Sequence, residues 1–492
     1  MTRAPDLPSL KALFEAEPDR LSRLSLDVAG IHFDWSKTHL DEAWIEAIAG
    51  RCEQMSFAAA REALFAGAIV NPSEERAATH VAERGNGASE AVDLAAARRM
   101  RMRALVDAVE AGAFGPVTAL LHIGIGGSVL GPALLVDALG RQDRHFETRF
   151  LSNIDGLAFE DAVRGLDPAT TLVVAVSKTF TTSETLLNLQ AALGWLREAG
   201  VEDPDGRVIA VTAAPEAAVE AGIDDSRILV FDEGVGGRYS LWSAVGFTAA
   251  LALGWVAFEE LLEGAGEMDR HFRFAEPKAS APLLAAFADR LYVEKAACQT
   301  RAVFGYDERL RLLMPYLQQL EMESNGKGVT TAGEPVAYPS APVTWGGTGT
   351  DAQHAVFQLL HQGTVLVPVE FVAVITAGDR QDPEHHRLLL LNAFAQGAAL
   401  MQGKASDDPQ RAYPGNRPSA TILLDRLDAR TLGALIAFYE HRTFANAALI
   451  GINPFDQFGV ELGKSIAREL SEGEDSGGLD ASTRALIEKA GL

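Results

Sequence analysis

From residue 117 onward the chain alternates short apolar, β-rich runs with stretches of helical period, and this alternation constrains its fold more than any other feature. The runs are Val117–Ile123, Arg149–Leu151, Leu172–Val176, Val208–Val211 and Ile228–Phe231. Between them lie amphipathic segments such as Thr185–Glu198, whose Leu186, Leu187, Leu189 and Trp195 suit a helix lying on a sheet. Parallel strands need long crossovers, so this order predicts an α/β fold with a doubly wound, mainly parallel sheet. The pattern resumes with Arg301–Tyr306, Val343–Trp345, Thr364–Val374 and Thr421–Leu424, which predicts a second unit of the same kind. Residues 259–290, with Gly264, Gly266, Pro277 and Pro282, read as the join. The first hundred residues and the last fifty read as mainly helix and loop wrapped around the two units. Glu472–Gly478 reads as a flexible acidic link to a final short helix.

Charge narrows the partners. A formal charge of −24 over 492 residues argues against nucleic acid or an anionic membrane unless basic groups cluster strongly. The one dense basic block, Arg98-Arg99-Met100-Arg101-Met102-Arg103, reads as the solvated side of a helix. Cys52 and Cys298 cannot form a disulfide framework in a chain of this length. The start, MTRAPDLPSLKALFEAEPDR, lacks the apolar core of a secretory signal. Leu241–Phe258 is uncharged and near the length of a membrane span, but it is Ala/Gly-rich and stands alone. We read it as a helix buried between sheet layers, and the compartment as the cytoplasm.

Chemistry concentrates where strands end. Ser177-Lys178-Thr179-Phe180-Thr181-Thr182-Ser183-Glu184-Thr185 places six hydroxyls and a lysine between the run ending at Val176 and the next helix. A helix start offers unpaired N–H groups and a positive dipole end, so such a segment suits an oxyanion. Thr181 and Glu184 also fit a capping box, and we read a phosphate seat laid over a cap. Gly124-Ile125-Gly126-Gly127-Ser128-Val129-Leu130-Gly131 lacks the third glycine of a dinucleotide fingerprint, which excludes NAD on this motif. Its glycines allow close backbone approach to a ligand, with Ser128 at a strand end; a plain tight turn fits the same residues. Arg238, on the loop Gly236-Gly237-Arg238, offers a fixed planar cation or a structural salt bridge. In Gln319-Leu320-Glu321-Met322-Glu323-Ser324-Asn325-Gly326, the two glutamates would not share a helix face, which favours a single working carboxylate. Asn325-Gly326 reads as a helix stop. Asp351 reads as an N-cap, which puts His354 in a first helical turn. His361 lies seven residues on, about 10 Å along a helix, too far to share an ion comfortably. His385-His386 reads as a solvated pair in a charged loop, and no metal motif is present.

Taken in order, SKTFTTSET, GIGGSVLGP, GGRYSLWSAVG, MESNGKG, TDAQHAVFQLLHQG and GVELGKSIA resemble the glucose-6-phosphate isomerase (phosphoglucose isomerase) family. The likeness runs from FDWSKTHLD near residue 33, through NPSEERAATHVAERG at 71–85, to residue 467. It implies two sugar-isomerase (SIS) α-β-α sandwich domains at 111–258 and 259–455. These would be flanked by an N-terminal helical and extended region, 1–110, and a C-terminal helical region, 456–492. It further implies a homodimer with shared active sites, a hexose 6-phosphate substrate, and no metal or organic cofactor. Ser128, Ser177, Lys178, Thr179 and Thr182 match the family's phosphate-holding positions, and Gln319 a substrate contact. Glu323 matches the base between C2 and C1, and Arg238 the cation beside the enediol. His354 and Lys464 match the ring-opening groups, with the histidine serving the partner's site. Trp345-Gly346-Gly347-Thr348-Gly349-Thr350 departs from the family's more usual Gly-Glu-Pro-Gly-Thr, which predicts a looser loop before His354. Two alternatives share the phosphate cradle: a non-catalytic SIS-domain sensor, and an isomerase also acting on mannose 6-phosphate.

Overall fold

The computed structural model describes residues 7–471 and 478–492, so all but the last residue of the acidic link Glu472–Gly478 lies outside the described residues. Two sheets form its frame. The first is five-stranded and wholly parallel, in the order Glu147–Leu151, Ala119–Ile123, Thr171–Val176, Val208–Thr212, Ile228–Val230. The second has six strands, in the order Ser25–Val28, Ile31–Asp34, Ser419–Leu424, Val369–Val374, Thr300–Tyr306, Val343–Thr348. Its last four strands are mutually parallel, as the alternation predicts.

The N-terminal region is mainly helix and loop as expected, but the first two strands of that sheet are an addition the reading lacked. Ser25–Val28 and Ile31–Asp34 make an antiparallel hairpin whose second strand pairs with Ser419–Leu424. Its two-residue turn, Ala29-Gly30, has positive φ at both positions (52° and 74°), the twist that hairpin turns favour. Strands of four residues with mixed burial carry too little periodicity to stand out beside the long helical stretches.

Strand residues alternate between two cores. Leu172, Val174 and Val176 face a large central core, whereas Val173 and Ala175 face an outer one under the helix Ser183–Glu198. Val303, Val372 and Ile422 of the second sheet face that same central core, and Phe304, Phe371 and Ala373 a third, outer one. Each sheet is thus a sandwich layer, buried on both faces, which is why its strands read as continuous apolar runs. The central layer consists of buried helices, mainly Phe247–Leu253, Trp255–Phe274, Ala281–Arg290 and Ala429–Ile450.

Three expectations change here. Residues 259–290 form much of two buried helices rather than a linker. Leu241–Phe258 is buried as expected but is broken at Ser243 and Gly254 into short turns, a seven-residue helix and the start of the next. Among the described residues, no helix is long and apolar enough to cross a membrane. The basic block lies on the helix Ser89–Glu110 but is not merely solvated. Arg98 pairs with Asp232, Arg99 donates to Glu83 O, and Arg101 donates to the carbonyls of Asp225 and Ile228.

Candidate active site

At the carboxyl end of Thr171–Val176 the chain turns sharply. Phe180 takes a left-handed backbone conformation (φ 52°), which costs a side-chain-bearing residue about 1–2 kcal/mol. Burial of its ring beneath the sheet offsets this, because fully burying a phenylalanine is worth about 1.5–3 kcal/mol. The turn is closed by Phe180 N donating to Ser177 Oγ at 3.2 Å, and by Ser177 Oγ and Thr182 Oγ1 at 3.0 Å. Thr182 is the N-cap of Ser183–Glu198, yet no side chain caps the helix. The expected Thr181–Glu184 capping box is therefore absent. Thr181 is spent on Thr179 Oγ1 at 2.8 Å and Glu184 on Ser183 Oγ at 3.0 Å. Leaving the first helical N–H groups without a side-chain partner suits an anion seat better than a capped start does.

Lys178 borders this turn. Its ammonium donates to the carbonyls of Glu233, at 2.6 Å, and Val235, at 3.2 Å. Burial, and secondarily the Arg76 guanidinium, push its pKa below the usual lysine value.

Two glycine loops build the next wall. A Cβ on Gly127 would lie 2.1 Å from the Gly237 carbonyl carbon, so the loops Gly126–Ser128 and Gly236–Arg238 touch backbone to backbone. At Gly127 the close approach is between the two loops, and both Gly126 and Gly127 line the cavity described below. Ser128 is held from below by His122, whose Nε2–H donates to Ser128 O at 2.8 Å while Nδ1 accepts from Thr248 Oγ1 at 2.8 Å. Complete burial pushes the His122 pKa down to about 4, so the ring stays neutral at pH 7.

Arg238 is buried, and its guanidinium is fixed from several sides. It donates to Ser324 Oγ (2.6 Å), Gln457 Oε1 (3.0 Å), Pro454 O (2.5 Å) and Asp456 O (3.1 Å). Its Nη1 lies 3.7 Å from Glu323 Oε1, so the loop cation and the carboxylate face one another.

Glu323 comes from the helical run that starts at Leu313, winds into a π-type turn over Gln319–Glu323 and ends at Asn325, as Asn325-Gly326 predicts. Lys327 Nζ closes that end by donating to the carbonyls of Glu323 (2.9 Å), Ser324 (3.0 Å) and Asp456 (2.9 Å). The Glu323 side chain is 20 % exposed, while Glu321 is buried and paired with Arg301. The two glutamates are thus separated, as expected.

These elements enclose one cavity of about 790 Å³. Ser128, Ser177, Lys178, Thr179, Thr182, Arg238, Gln319, Glu323 and Lys464 all line it, the last from the exposed helix Glu461–Ser471. His354 does not. It is exposed on the helix Gly349–Gln362, whose N-cap is Thr348 rather than Asp351, which moves His354 into the second turn. The preceding Gly346-Gly347-Thr348 is no loose loop: it pairs in register with Val303, Phe304 and Gly305. Gly346 has φ 155°, and a Cβ there would lie 1.8 Å from Val303 O, so only glycine fits that strand position. His361 Nε2 donates to Gln396 Oε1 at 2.9 Å, and His385-His386 lie in a first helical turn, with His386 Nε2 donating to Ile375 O at 2.8 Å. Among the described residues, no group of three or more His, Cys, Asp or Glu is placed to hold a metal ion.

The cavity also contains residues that the sequence reading did not single out. Arg76 and Glu74 reach it from the short ladder Ile69–Asn71/Arg76–Ala77, Gln457 from the loop after Ala429–Ile450, and Thr185 from the first helical turn. The string NPSEER carried a signal for the first two. Gln457 had none, because its role is to receive Arg238 from across the fold.

Comparisons with known proteins establish the family. The family model described as phosphoglucose isomerase matches residues 34–487. A glucose-6-phosphate isomerase of Rhizorhabdus wittichii is 65 % identical, with 98 % of this chain and 96 % of that protein covered. One of Sphingopyxis alaskensis is 61 % identical over the same shares. A crystal structure of a glucose-6-phosphate isomerase from Chlamydia trachomatis superposes with a TM-score of 0.88 at 30 % identity, covering 99 % of this chain and 96 % of that one. The chain therefore belongs to the phosphoglucose isomerase family.

Proposed function

We propose that the cavity interconverts glucose 6-phosphate and fructose 6-phosphate, with Glu323 moving the proton between C2 and C1. The observation that carries this reading is Glu323 facing Arg238 at 3.7 Å on one wall, with the Ser177–Thr182 hydroxyl turn on another wall of the same cavity. The activity is also the one in the names of the relatives matched over nearly their whole length.

In this reading Ser128, Ser177, Lys178, Thr179 and Thr182 grip a phosphate that does not react. That grip fixes the sugar's position, so binding energy from the remote group is spent on orientation at C1 and C2. Lys464 and a histidine open the ring by giving one proton and taking another. Glu323 then takes the C2 proton of the open aldose; the C–H electrons form the C1–C2 double bond, and the carbonyl electrons move onto O1. Arg238, held rigid and not itself an acid, stabilises that oxyanion. Transfer of a proton from O2 to O1, and return of the carbon-bound proton from Glu323 to C1, completes the ketose. Gln319 contacts the sugar. The reaction is internally redox-neutral and calls for no organic cofactor.

His354, exposed and outside its own chain's cavity, fits the role of serving a second subunit. We therefore assign a homodimer with shared sites, built from SIS units at 111–258 and 259–455 and working in the cytoplasm in glycolysis and gluconeogenesis. A sensor would have no use for a carboxylate set against a fixed guanidinium.

The test is incubation with fructose 6-phosphate in D2O, followed by NMR for aldose formation and for deuterium at C2. A folded sample that gives neither sinks the assignment. Glu323→Gln should keep phosphate-dependent binding and lose turnover by about a thousandfold or more; retained turnover would show that another residue is the base.

A further inference from the structure

Glu323 sits in a turn of unusual winding, and the group that anchors this turn has not yet entered the reaction. Single π-type turns inside α-helices recur at functional sites, because they shift the phase of the side chains around them. Here Gln319 and Glu323, the ends of the turn, line the cavity, whereas Glu321 between them is buried in the protein interior. Both oxygens of Glu321 accept from Arg301 Nη2, and Thr344 Oγ1 donates to Glu321 Oε2 at 2.7 Å. One residue before the turn, Gln318 Nε2 donates to Thr344 O at 3.3 Å. The turn is thus tied to two strands of the second sheet, Thr300–Tyr306 and the edge strand Val343–Thr348.

The tie continues inward. Arg301 Nη1 donates to Asp289 Oδ1 at 3.2 Å, Arg442 donates to both Asp289 oxygens at 2.6 and 2.7 Å, and Arg442 Nη1 donates to Glu370 Oε2 at 2.7 Å. All these groups are buried. Charges removed from water in this way roughly break even against well-packed apolar residues, so stability alone is a weak account of them; fixing one geometry is a better one. The place of the network is specific. It grips the helix two residues from Glu323, and its edge strand runs without a loop into Gly349–Gln362, the helix that carries His354.

We propose that Glu321, clamped by Arg301 and Thr344, is a positioning residue for the isomerisation: it sets the winding that aims Glu323 and Gln319 into the cavity. This rests on the reading of Glu323 as the base. Neither Glu321 nor Thr344 lines the cavity, so neither touches the substrate.

The test compares Glu321→Gln, Thr344→Val and Thr344→Ser with the unaltered protein, and includes Glu323→Gln alongside. For each, kcat and KM for fructose 6-phosphate, the Kd for inorganic phosphate and the thermal midpoint are measured, with kcat taken well below every midpoint. Misplacing a reacting group by about 1 Å can cost about a hundredfold, so Glu321→Gln should lower kcat by about thirtyfold or more and Thr344→Val by about fivefold. Thr344→Ser, which keeps the hydroxyl, should restore kcat to within about twofold; phosphate affinity should move by less than about twofold throughout, and KM should rise less than kcat falls, since Gln319 is only one of several substrate contacts. Lowered midpoints with kcat unchanged in both Glu321→Gln and Thr344→Val would show a merely structural clamp and overturn the proposal. If Glu321→Gln does not fold, the Thr344 pair decides the matter by the same split. Turnover retained by Glu323→Gln would instead overturn the assignment of the base, an outcome distinct from either.

Discussion

The two sheets share an architecture, yet their carboxyl edges are chemically opposite. At the edge of the first sheet lie Ser128, Ser177, Lys178 and Thr182, around a cavity of about 790 Å³ that ends at Arg238 and Glu323. At the edge of the second lies a cleft of about 540 Å³ lined by Asp307, Glu308, Arg309, Gly378, Asp379 and Asp428. There the polar groups satisfy one another: Arg309 forks onto Asp307 at 2.7 and 2.9 Å, Thr376 Oγ1 donates to Asp425 O at 2.8 Å, and Gln142 donates to Gly378 O at 2.5 Å. Open α/β sheets offer ligand sites at their carboxyl ends as a matter of topology. Side chains decide whether an anion is welcome, and at the first edge a lysine and a run of hydroxyls meet an uncapped helix start inside the cavity.

The sharpest way to break this contrast is to make the first edge resemble the second. Aspartate is a good N-cap, so Thr182→Asp should keep or improve the helix Ser183–Glu198 while setting a carboxylate into the proposed phosphate seat. Like charges about 4 Å apart repel by about 4 kcal/mol at the effective dielectric of such sites, so KM for fructose 6-phosphate should rise by about a hundredfold or more. The reciprocal change, Asp379→Lys, should leave KM within about twofold, because Asp379 lies outside the proposed substrate cavity. Equal effects from the two would erase the distinction.

A smaller effect tests whether the seat depends on its glycine contact. Gly127→Ala places a methyl 2.1 Å from the Gly237 carbonyl carbon, and the loops must part. Overpacking of this kind costs about 1–3 kcal/mol; the thermal midpoint should fall, and kcat with it, since Arg238 follows Gly237. An unchanged midpoint would show that the loops are not in contact in solution.

The smallest effect concerns pH. His122 has its pKa lowered by burial from 6.5 to about 4. Below pH 6.5 the unfolded chain binds the proton and the folded one does not, so stability is complete above about 6.5 and falls as pH drops toward 4. The loss from this one group reaches about 1 kcal/mol by pH 5.5. Substitution His122→Asn should flatten the midpoint-versus-pH curve in that range by about that amount. His39, His80, His271 and His441 are lowered by burial too, and the buried Glu83 and Glu440, raised to about 7, act in the opposite sense, so the test is the difference between the two curves; no difference would show that His122 is accessible to protons.

Much of this was legible in the residues. The apolar runs from 117 to 424 fall on the strands, most plainly the central ones, which are buried on both faces and have no polar side to disguise them. The hydroxyl turn, the glycine loops and the Glu323 segment could each be read as chemistry, since unusual composition at a strand end has few structural explanations. The N-terminal hairpin escaped, because four-residue strands owe their pairing to Ser419–Leu424, which lies far along the chain. The capping box misled for a related reason: the same hydroxyls have several acceptors within reach, and local spacing does not say which one wins.

What the sequence determined by itself was the kind of fold, the location of the hydroxyl-rich turn and the family, all of which follow from local pattern and ordered motifs. Tertiary structure alone decided that Gln457 would hold Arg238, that Gly127 would meet Gly237 and that Arg301 and Thr344 would grip Glu321. It also decided that Gly346-Gly347-Thr348 would be a paired strand rather than a slack loop. The physical reason is common to all of these. Hydrogen bonds and steric contacts act over a few ångströms of space, and the partners here are separated by about twenty to over two hundred residues of chain.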